Sequence, residues 1–165
     1  MKILIISDSH GRLKHFKSIL ESEEVIDLII HSGDIVSGAE YIKSISPCPV
    51  EMVAGNCDYH YCAMPKEKVL QLGKYKTIII HGHKYGVNNG TSSIKEVAMK
   101  KGADIVIFGH THLPLLTFDD GIWLVNPGSI SLPRQEGRKP TYIVMDIDSK
   151  GDVNFTLKQV EIWDN

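Results

Sequence analysis

Five short segments of the chain combine aspartate, histidine or asparagine with glycine. They are SDSHG at 7–11, HSGD at 31–34, AGNCD at 54–58, HGH at 81–83 and GHTH at 109–112. Carboxylate, amide and imidazole groups bind Mn²⁺, Fe, Zn²⁺, Co²⁺ or Ni²⁺, and the pattern requires no thiolate. Seven ligands drawn from these segments are too many for one tetrahedral ion, but they fit two ions about 3.5–4 Å apart that share a carboxylate. These residue types therefore indicate a dinuclear metal centre.

The spacing within two of these segments favours convergence of their side chains. In an extended chain, residues i and i+2 point to the same side, so Asp8 is expected to pair with His10, and His110 with His112. Neighbouring glycines let the backbone turn sharply and approach a bound ion or phosphate. Two divalent ions held by two aspartates and neutral ligands keep about two positive charges, which attract a phosphate ester.

The elements that must position these segments are predicted to be strands. Short apolar runs at 2–7, 26–31 and 50–54, separated by helical spacing, predict a βαβαβ start with a parallel sheet. In such sheets ligands bind outside the carboxyl ends of the strands. Each of the five segments follows a predicted strand, so all five are expected to meet at one site.

The rest of the chain predicts a second, more antiparallel sheet. A hairpin is expected from strands at 68–72 and 76–81, followed by a buried strand within 103–109. A helix at 93–101 is predicted to begin with a capping box of Ser93 and Glu96 and to stop at Gly102. Later strands are predicted at 115–118, 122–126, 141–147 and 152–159.

Composition excludes several classes of protein. The chain has 165 residues, which suits one domain over 1–165. Its net charge of −2 and scattered aromatic residues offer no platform for nucleic acid. No apolar run approaches the ~20 residues that span a bilayer, and the first residues are too short for a signal peptide. Three sparse cysteines are interpreted as reduced thiols in a cytoplasmic protein.

Taken in order, the five segments resemble the calcineurin-like metallophosphoesterases, whose pattern is D-x-H, G-D, G-N-H-D/E, H and G-H-x-H. NPGS at 126–129 and LPR at 132–134 further resemble the short YfcE-type phosphodiesterases of bacteria and archaea. The resemblance implies an α/β fold, a four-layer αββα sandwich of two mixed sheets around a βαβαβ metal-binding core. It also implies hydrolysis of small phosphate diesters, by attack of a metal-bridging hydroxide at a dinuclear site.

The resemblance also assigns roles to individual residues. One ion would be held by Asp8, His10 and His112, and the other by Asn56, His81 and His110. Asp34 would bridge the two. Asn56 and Cys57 would contact the substrate. Of the metals that suit these ligands, Mn²⁺ is favoured, with Ni²⁺, Co²⁺, Fe and Zn²⁺ as alternatives.

One position departs from the family pattern. Cys57 stands where the family has a histidine that protonates the leaving group or contacts the phosphate. A thiol donates a hydrogen bond only weakly. We therefore hypothesise that His83, two residues after His81, or a metal-bound water takes part of that role.

Two alternative functions stay open. The same metal core could serve a phosphomonoesterase or nucleotidase, because selectivity lies in the surrounding loops. The second alternative is a non-catalytic scaffold similar to a retromer subunit of the same fold, in which eroded metal ligands are expected. Each candidate ligand could also be structural when taken alone. The natural substrate stays open, and so does assembly into a homodimer or homotetramer.

Overall fold

The computed structural model describes residues 1–61 and 63–161. Cys62, one of the three cysteines interpreted as reduced, and the last four positions of the proposed 1–165 domain lie outside the described residues. The described strands form two sheets of five. The first sheet contains β1 (Lys2–Ile6), β2 (Leu28–His31), β3 (Val50–Met52), β9 (Thr141–Ile147) and β10 (Val153–Gln159). The second contains β4 (Glu67–Leu72), β5 (Tyr75–Ile80), β6 (Ile105–Ile107), β7 (Pro114–Asp119) and β8 (Ile122–Pro127).

Each sheet contains two parallel and two antiparallel pairings, so the prediction that the second sheet is the more antiparallel one is wrong. The strand order is β10-β9-β1-β2-β3 in the first sheet and β4-β5-β6-β8-β7 in the second. β1, β2 and β3 are parallel, as predicted, and β9 joins β1 antiparallel. β5, β6 and β8 are also parallel to one another, while β4 and β7 pair antiparallel with their neighbours. The predicted hairpin of β4 and β5 is confirmed.

Alternation along the strands explains how the two sheets pack. In β1, Ile3 and Ile5 join an apolar cluster with residues of the second sheet, including Ile79 and Ile107. Their neighbours Leu4 and Ile6 belong to a second cluster on the outer face. Successive side chains of a strand point to opposite faces, so a continuous apolar run is what a strand covered on both sides requires.

Helices cover the two outer faces. α1 (Lys14–Ser22) and α2 (Ala39–Ile45) bury apolar residues such as Phe16 and Ile42 against the first sheet. α3 (Ser92–Lys101) buries Ile94 and Ala98 against the second sheet. The order of layers is helices, sheet, sheet, helix, which confirms the predicted αββα sandwich. Within the described residues, none of the helices is long and apolar enough to cross a bilayer.

The predicted capping box of α3 is wrong. The helix begins at Ser92, its N-cap is Thr91, and no side chain caps it. Three residues after Thr91 comes Ile94, which is fully buried against the sheet. The acidic partner that a capping box requires therefore has no place at that position. Gly102 does end the helix in a left-handed conformation, as predicted.

The segment after β8 ties the two sheets together near their carboxyl ends. The Ser129 hydroxyl is fully buried and donates to the Asp8 carbonyl at 2.7 Å. The same oxygen accepts hydrogen bonds from the main-chain N–H groups of Ser131 at 3.1 Å and Leu132 at 2.8 Å. The Asn126 side chain donates to the carbonyl of Gly109 at 3.0 Å. The NPGS sequence thus supports the loop after β1 and the loop after β6.

We expect Ser129→Ala to lower the free energy of unfolding by about 1–3 kcal/mol, because two main-chain donors lose their buried acceptor. Urea denaturation of both proteins measures the difference. Ser149→Ala, at an exposed turn position, is the matched control and should change stability little. Equal effects of the two substitutions would contradict the supporting role of Ser129.

Candidate metal centre

Six of the seven predicted ligands converge at the carboxyl ends of the parallel strands. The nearest ligand atoms of Asp8, His10 and His112 all lie within 4.8 Å of one another. A second group with the same spacing consists of the three residues Asp34, His81 and His110. For these six residues, the two groups match the division that the family resemblance implies.

Asp34 lies where the two groups meet. Its Oδ2 atom is 3.4 Å from Nε2 of His81 and 3.7 Å from Nε2 of His10. Its Oδ1 atom accepts a hydrogen bond from the main-chain N–H of Cys57 at 2.8 Å. One carboxylate oxygen is therefore anchored by the chain, and the other faces a histidine from each group.

Hydrogen bonds to carbonyl groups determine which nitrogen of two histidines carries the proton. Nδ1 of His81 lies 2.9 Å from the carbonyl oxygen of Ser32, and Nδ1 of His112 lies 2.7 Å from that of Leu132. A carbonyl oxygen only accepts, so each Nδ1 is the protonated nitrogen. In the neutral rings Nε2 then carries a lone pair, which is the form that binds a metal ion.

These lone pairs face other electron-rich atoms. Nε2 of His112 lies 3.2 Å from Nε2 of His10 and 3.1 Å from Oδ1 of Asp8. Oδ1 of Asp8 and Nε2 of His81 are buried and have no hydrogen-bond partner among the described residues. Burying unsatisfied polar atoms is costly, and a cation between them removes that cost. The arrangement therefore fits divalent metal ions.

The ionisation of the two carboxyl groups supports this fit. Burial by itself would raise the pKa of Asp8, but His112 and His81 hold that pKa below its ordinary value. Burial also opposes ionisation of Asp34, yet the adjacent His81 imidazole and the main-chain N–H of Cys57 keep its pKa well below its usual range. Both aspartates are therefore carboxylates at neutral pH, as metal binding requires.

The histidines divide into two kinds. Burial disfavours protonation of His81 and His112, but Asp34 and Asp8 respectively raise their pKa values above the ordinary one. Burial lowers the pKa of His10 and of His110. In the absence of a cation, a proton on the first pair would offset the carboxylate charge. A metal ion and a proton therefore compete for the same lone pairs.

The residues converge, but the extended backbone expected from the i, i+2 spacing is wrong. Asp8, His10, His110 and His112 have φ angles of 52°, 46°, 70° and 59°, so the chain is left-handed rather than extended at each of them. Asp34 shares this conformation, with a φ of 55°. Such residues cost energy and are typical of functional sites, where the surrounding structure holds them.

Two glycines allow the loops to approach each other. A Cβ atom on Gly109 would lie 2.7 Å from Oδ2 of Asp8. A Cβ atom on Gly55 would lie 2.8 Å from Cγ of Asp34. Any side chain at these two positions would push the carboxylates out of the site. The sequence predicted that glycines let the backbone approach a bound ion or phosphate. At these two positions, the group that the backbone approaches is an aspartate side chain.

The three remaining predicted residues lie beside the two groups. Asn56 is exposed, and its amide nitrogen lies 3.3 Å from the Cys57 sulfur. Cys57 is within 4.8 Å of His10 and Asp34, and burial together with Asp34 raises the pKa of its thiol to about 11. The centre of the His83 ring is 5.4 Å from that of His81.

Three supporting residues were not assigned a role from the sequence. The amide of Asn88 lies 3.0 Å from Nε2 of His110, and no spacing in the sequence points to this contact. Asp58 accepts hydrogen bonds from the main-chain N–H groups of Val36 and Gly55 at 2.6 and 2.8 Å. Its place in the G-N-x-D segment was a signal for its importance. Buried His31 contacts the Ser9 hydroxyl at 3.0 Å.

Comparison with known proteins identifies the family. A family model described as the calcineurin-like phosphoesterase superfamily domain matches residues 1–150. The Bacillus subtilis protein named "Probable metallophosphoesterase YsnB" is 34% identical over 152 residues, which cover 90% of this chain and 86% of that protein. A phosphodiesterase of Methanocaldococcus jannaschii is 31% identical over 146 residues, covering 78% of this chain and 83% of its own.

A solved structure shares the fold at lower identity. Vps29 of Entamoeba histolytica, in complex with Zn²⁺, superposes with a TM-score of 0.76 at 19% identity, over 98% of this chain and 100% of that one. This likeness concerns the fold alone, whereas the family model and the two relatives also concern the activity. The chain therefore belongs to the calcineurin-like phosphoesterase superfamily and is a metal-dependent phosphoesterase.

Proposed function

We propose that the protein hydrolyses small phosphate diesters at a centre of two divalent ions. The observation that carries this proposal is the position of Asp34 between the two ligand groups, where its Oδ2 atom faces His81 at 3.4 Å and His10 at 3.7 Å. A shared carboxylate between two sets of ligands is what two closely spaced ions need. The name of the M. jannaschii relative supports a diester substrate.

The assignment of ligands follows the two groups. Asp8, His10 and His112 would hold one ion. His81 and His110 would hold the other, together with the side-chain oxygen of Asn56, whose amide nitrogen contacts the Cys57 sulfur. Divalent ions held by these residues would supply an activated water and would neutralise charge on the phosphate oxygens. The mixture of carboxylate and imidazole ligands suits Mn²⁺ and also Ni²⁺, Co²⁺, Fe or Zn²⁺.

Residues of the chain fix the orientation of these ligands. The carbonyl groups of Ser32 and Leu132 hold the rings of His81 and His112 with Nε2 directed into the site. Asn88 would orient His110 through the other ring nitrogen. His110 would bind the metal through Nδ1, and its Nε2–H would donate a hydrogen bond to the Asn88 amide oxygen after that amide rotates by half a turn.

We assign contact with the leaving group to His83 and contact with the phosphate to Asn56 and Cys57. His83 is half-buried, and its Nδ1 atom has no hydrogen-bond partner among the residues that the structure describes. Its ring centre lies 6.1 Å from that of His110, so it stands at the edge of the second ligand group. The Cys57 thiol, only a weak donor, cannot replace an imidazole in protonating a leaving group.

The non-catalytic alternative has less support than the enzymatic one. Vps29 shares the fold, so the fold by itself is compatible with a scaffold. All seven expected ligand positions are intact, however, and six of their side chains converge. A scaffold has no need for two buried carboxylates next to four imidazoles. A phosphomonoesterase is compatible with the same centre. Comparing the rates on a phosphate diester and a phosphate monoester, as below, distinguishes the two activities.

The first prediction concerns the metal. Chelator-stripped protein should not hydrolyse bis-p-nitrophenyl phosphate, and Mn²⁺ should restore turnover to a rate above that on p-nitrophenyl phosphate. Asp34→Asn should lower turnover about a hundredfold or more, because a neutral amide binds the two ions more weakly than the carboxylate, by roughly several kcal/mol. Asp120→Asn, at an exposed site, is the control. No turnover with any of the five metals would contradict the proposed function.

The second prediction concerns the leaving group. His83→Ala should lower turnover of methyl phenyl phosphate by roughly 10²–10⁴-fold, the usual range for losing a general acid. Turnover of methyl p-nitrophenyl phosphate should fall much less, because p-nitrophenolate leaves without protonation. His60→Ala, at an exposed loop position, provides the matched control. A uniform loss on both esters would assign His83 to another role.

The third prediction concerns the orientation of His110. Asn88→Ala should weaken Mn²⁺ binding by about 10–100-fold, as expected when a ligand loses the partner that orients it. Titration calorimetry with chelator-stripped protein measures the affinity without any need for turnover. The adjacent Asn89→Ala is the control, since Asn89 is also exposed. If both variants bind Mn²⁺ as tightly as the parent protein, Asn88 does not orient a ligand.

A further inference from the structure

A cavity of about 460 Å³ opens beside the candidate metal centre. We call it the side cavity, and its wall includes Asn56, Asp58, Tyr59, Tyr61, Lys66 and His83. Asn56 and His83 also border the metal centre, so the two spaces adjoin. The volume falls within the range of sites that bind small molecules. A substrate bound at the metals can therefore extend into the side cavity.

Aromatic and apolar groups form one part of the wall. Tyr61 and Met64 are half-buried and pack against the core of the first sheet. Two main-chain hydrogen bonds of 2.9 Å hold Tyr61 in its turn, one to Asp58 and one from Met64. Tyr59 lines the same space and is 71% exposed, and its ring centre lies 4.3 Å from that of His60. Flat aromatic faces of this kind stack on planar ligand groups.

One exposed positive charge borders the side cavity. The Asp58 carboxylate is buried, and its two oxygens accept the main-chain N–H groups of Val36 at 2.6 Å and Gly55 at 2.8 Å. Lys66 is exposed and, within residues 1–61 and 63–161, has no carboxylate within ion-pair distance. Its neighbour Lys68, by contrast, forms an ion pair with Glu51. An unpaired ammonium group beside aromatic rings favours a ligand that is both planar and anionic.

We propose that the side cavity binds an aromatic ester group of the substrate that carries a second negative charge, as in a nucleotide with two phosphates. Tyr59 would stack on the aromatic ring, and Lys66 would attract the second anionic group. The inference rests on the proposed function, because the first phosphate must bind at the metal centre. It narrows the substrate from small phosphate diesters in general to diesters with a nucleotide-like group.

Binding of four ligands to the Mn²⁺-loaded protein tests the proposal by calorimetry. Inorganic phosphate probes the metal centre alone, ribose 5-phosphate adds a sugar, AMP adds an aromatic base, and adenosine 3′,5′-bisphosphate adds the second charge. Each ligand is checked for intactness after the titration. We expect AMP to bind at least about fivefold more tightly than ribose 5-phosphate, as one stacked base provides. The bisphosphate should gain about a further threefold, as a solvent-exposed ion pair provides.

Two variants assign these gains to residues. Tyr59→Ala should remove the difference between AMP and ribose 5-phosphate, and Lys66→Gln should remove the difference between the bisphosphate and AMP. Tyr41→Ala and Lys150→Gln, both at exposed positions away from the side cavity, are the matched controls and should leave both differences intact. Thermal unfolding of each variant establishes that the fold is retained.

The possible failures are distinguishable. If inorganic phosphate binds and bis-p-nitrophenyl phosphate is hydrolysed, but the organic ligands bind equally well, the side-cavity proposal is overturned and the proposed function stands. The same holds if the differences survive in both variants. If the Mn²⁺-loaded protein neither binds inorganic phosphate nor hydrolyses the diester, both proposals fail together.

Discussion

The geometry of the site depends on how Asp8 is held. Its main-chain N–H donates to Gly33 at 3.0 Å, and its carbonyl accepts from the hydroxyls of Ser129 and Ser131. One carboxylate oxygen, Oδ2, accepts the main-chain N–H of His110 at 3.1 Å. The carboxyl ends of β1, β2 and β6 and the segment after β8 therefore meet at a single residue. Only Oδ1 lacks a hydrogen-bond partner among the described residues, and it faces the imidazoles.

This arrangement lowers the stability of the folded chain. Two carboxylates are buried beside rings whose lone pairs face one another, and five ligand residues adopt left-handed backbone conformations. Burial of apolar clusters offsets this loss of stability. The clusters lie elsewhere, between the sheets and under the helices on both outer faces. Because the clusters and the site occupy different parts of the fold, the site can be strained while the sandwich remains stable.

Much of the fold and of the site could be predicted from the sequence, because each leaves its own pattern in the chain. Strand periodicity and apolar runs report burial directly, and order along the chain placed six convergent ligands at strand ends. What could not be predicted depends on contacts between distant segments. The left-handed conformation of His10 goes with a hydrogen bond from its main-chain N–H to the Asp34 carbonyl in the loop after β2, and the Asn88–His110 contact joins loops 22 residues apart. The capping box failed because burial of Ile94 outweighed a local pattern.

The division of the ligands between the sheets has a consequence for the lifetime of the protein. Asp8, His10 and Asp34 follow strands of the first sheet, while His81, His110 and His112 follow strands of the second. An ion bound by both sets acts as a cross-link between the two halves of the sandwich. Any ligand that binds only the folded chain stabilises it in proportion to the logarithm of its free concentration. The metal supply of the cell would then influence how long each folded molecule survives, apart from how fast it works.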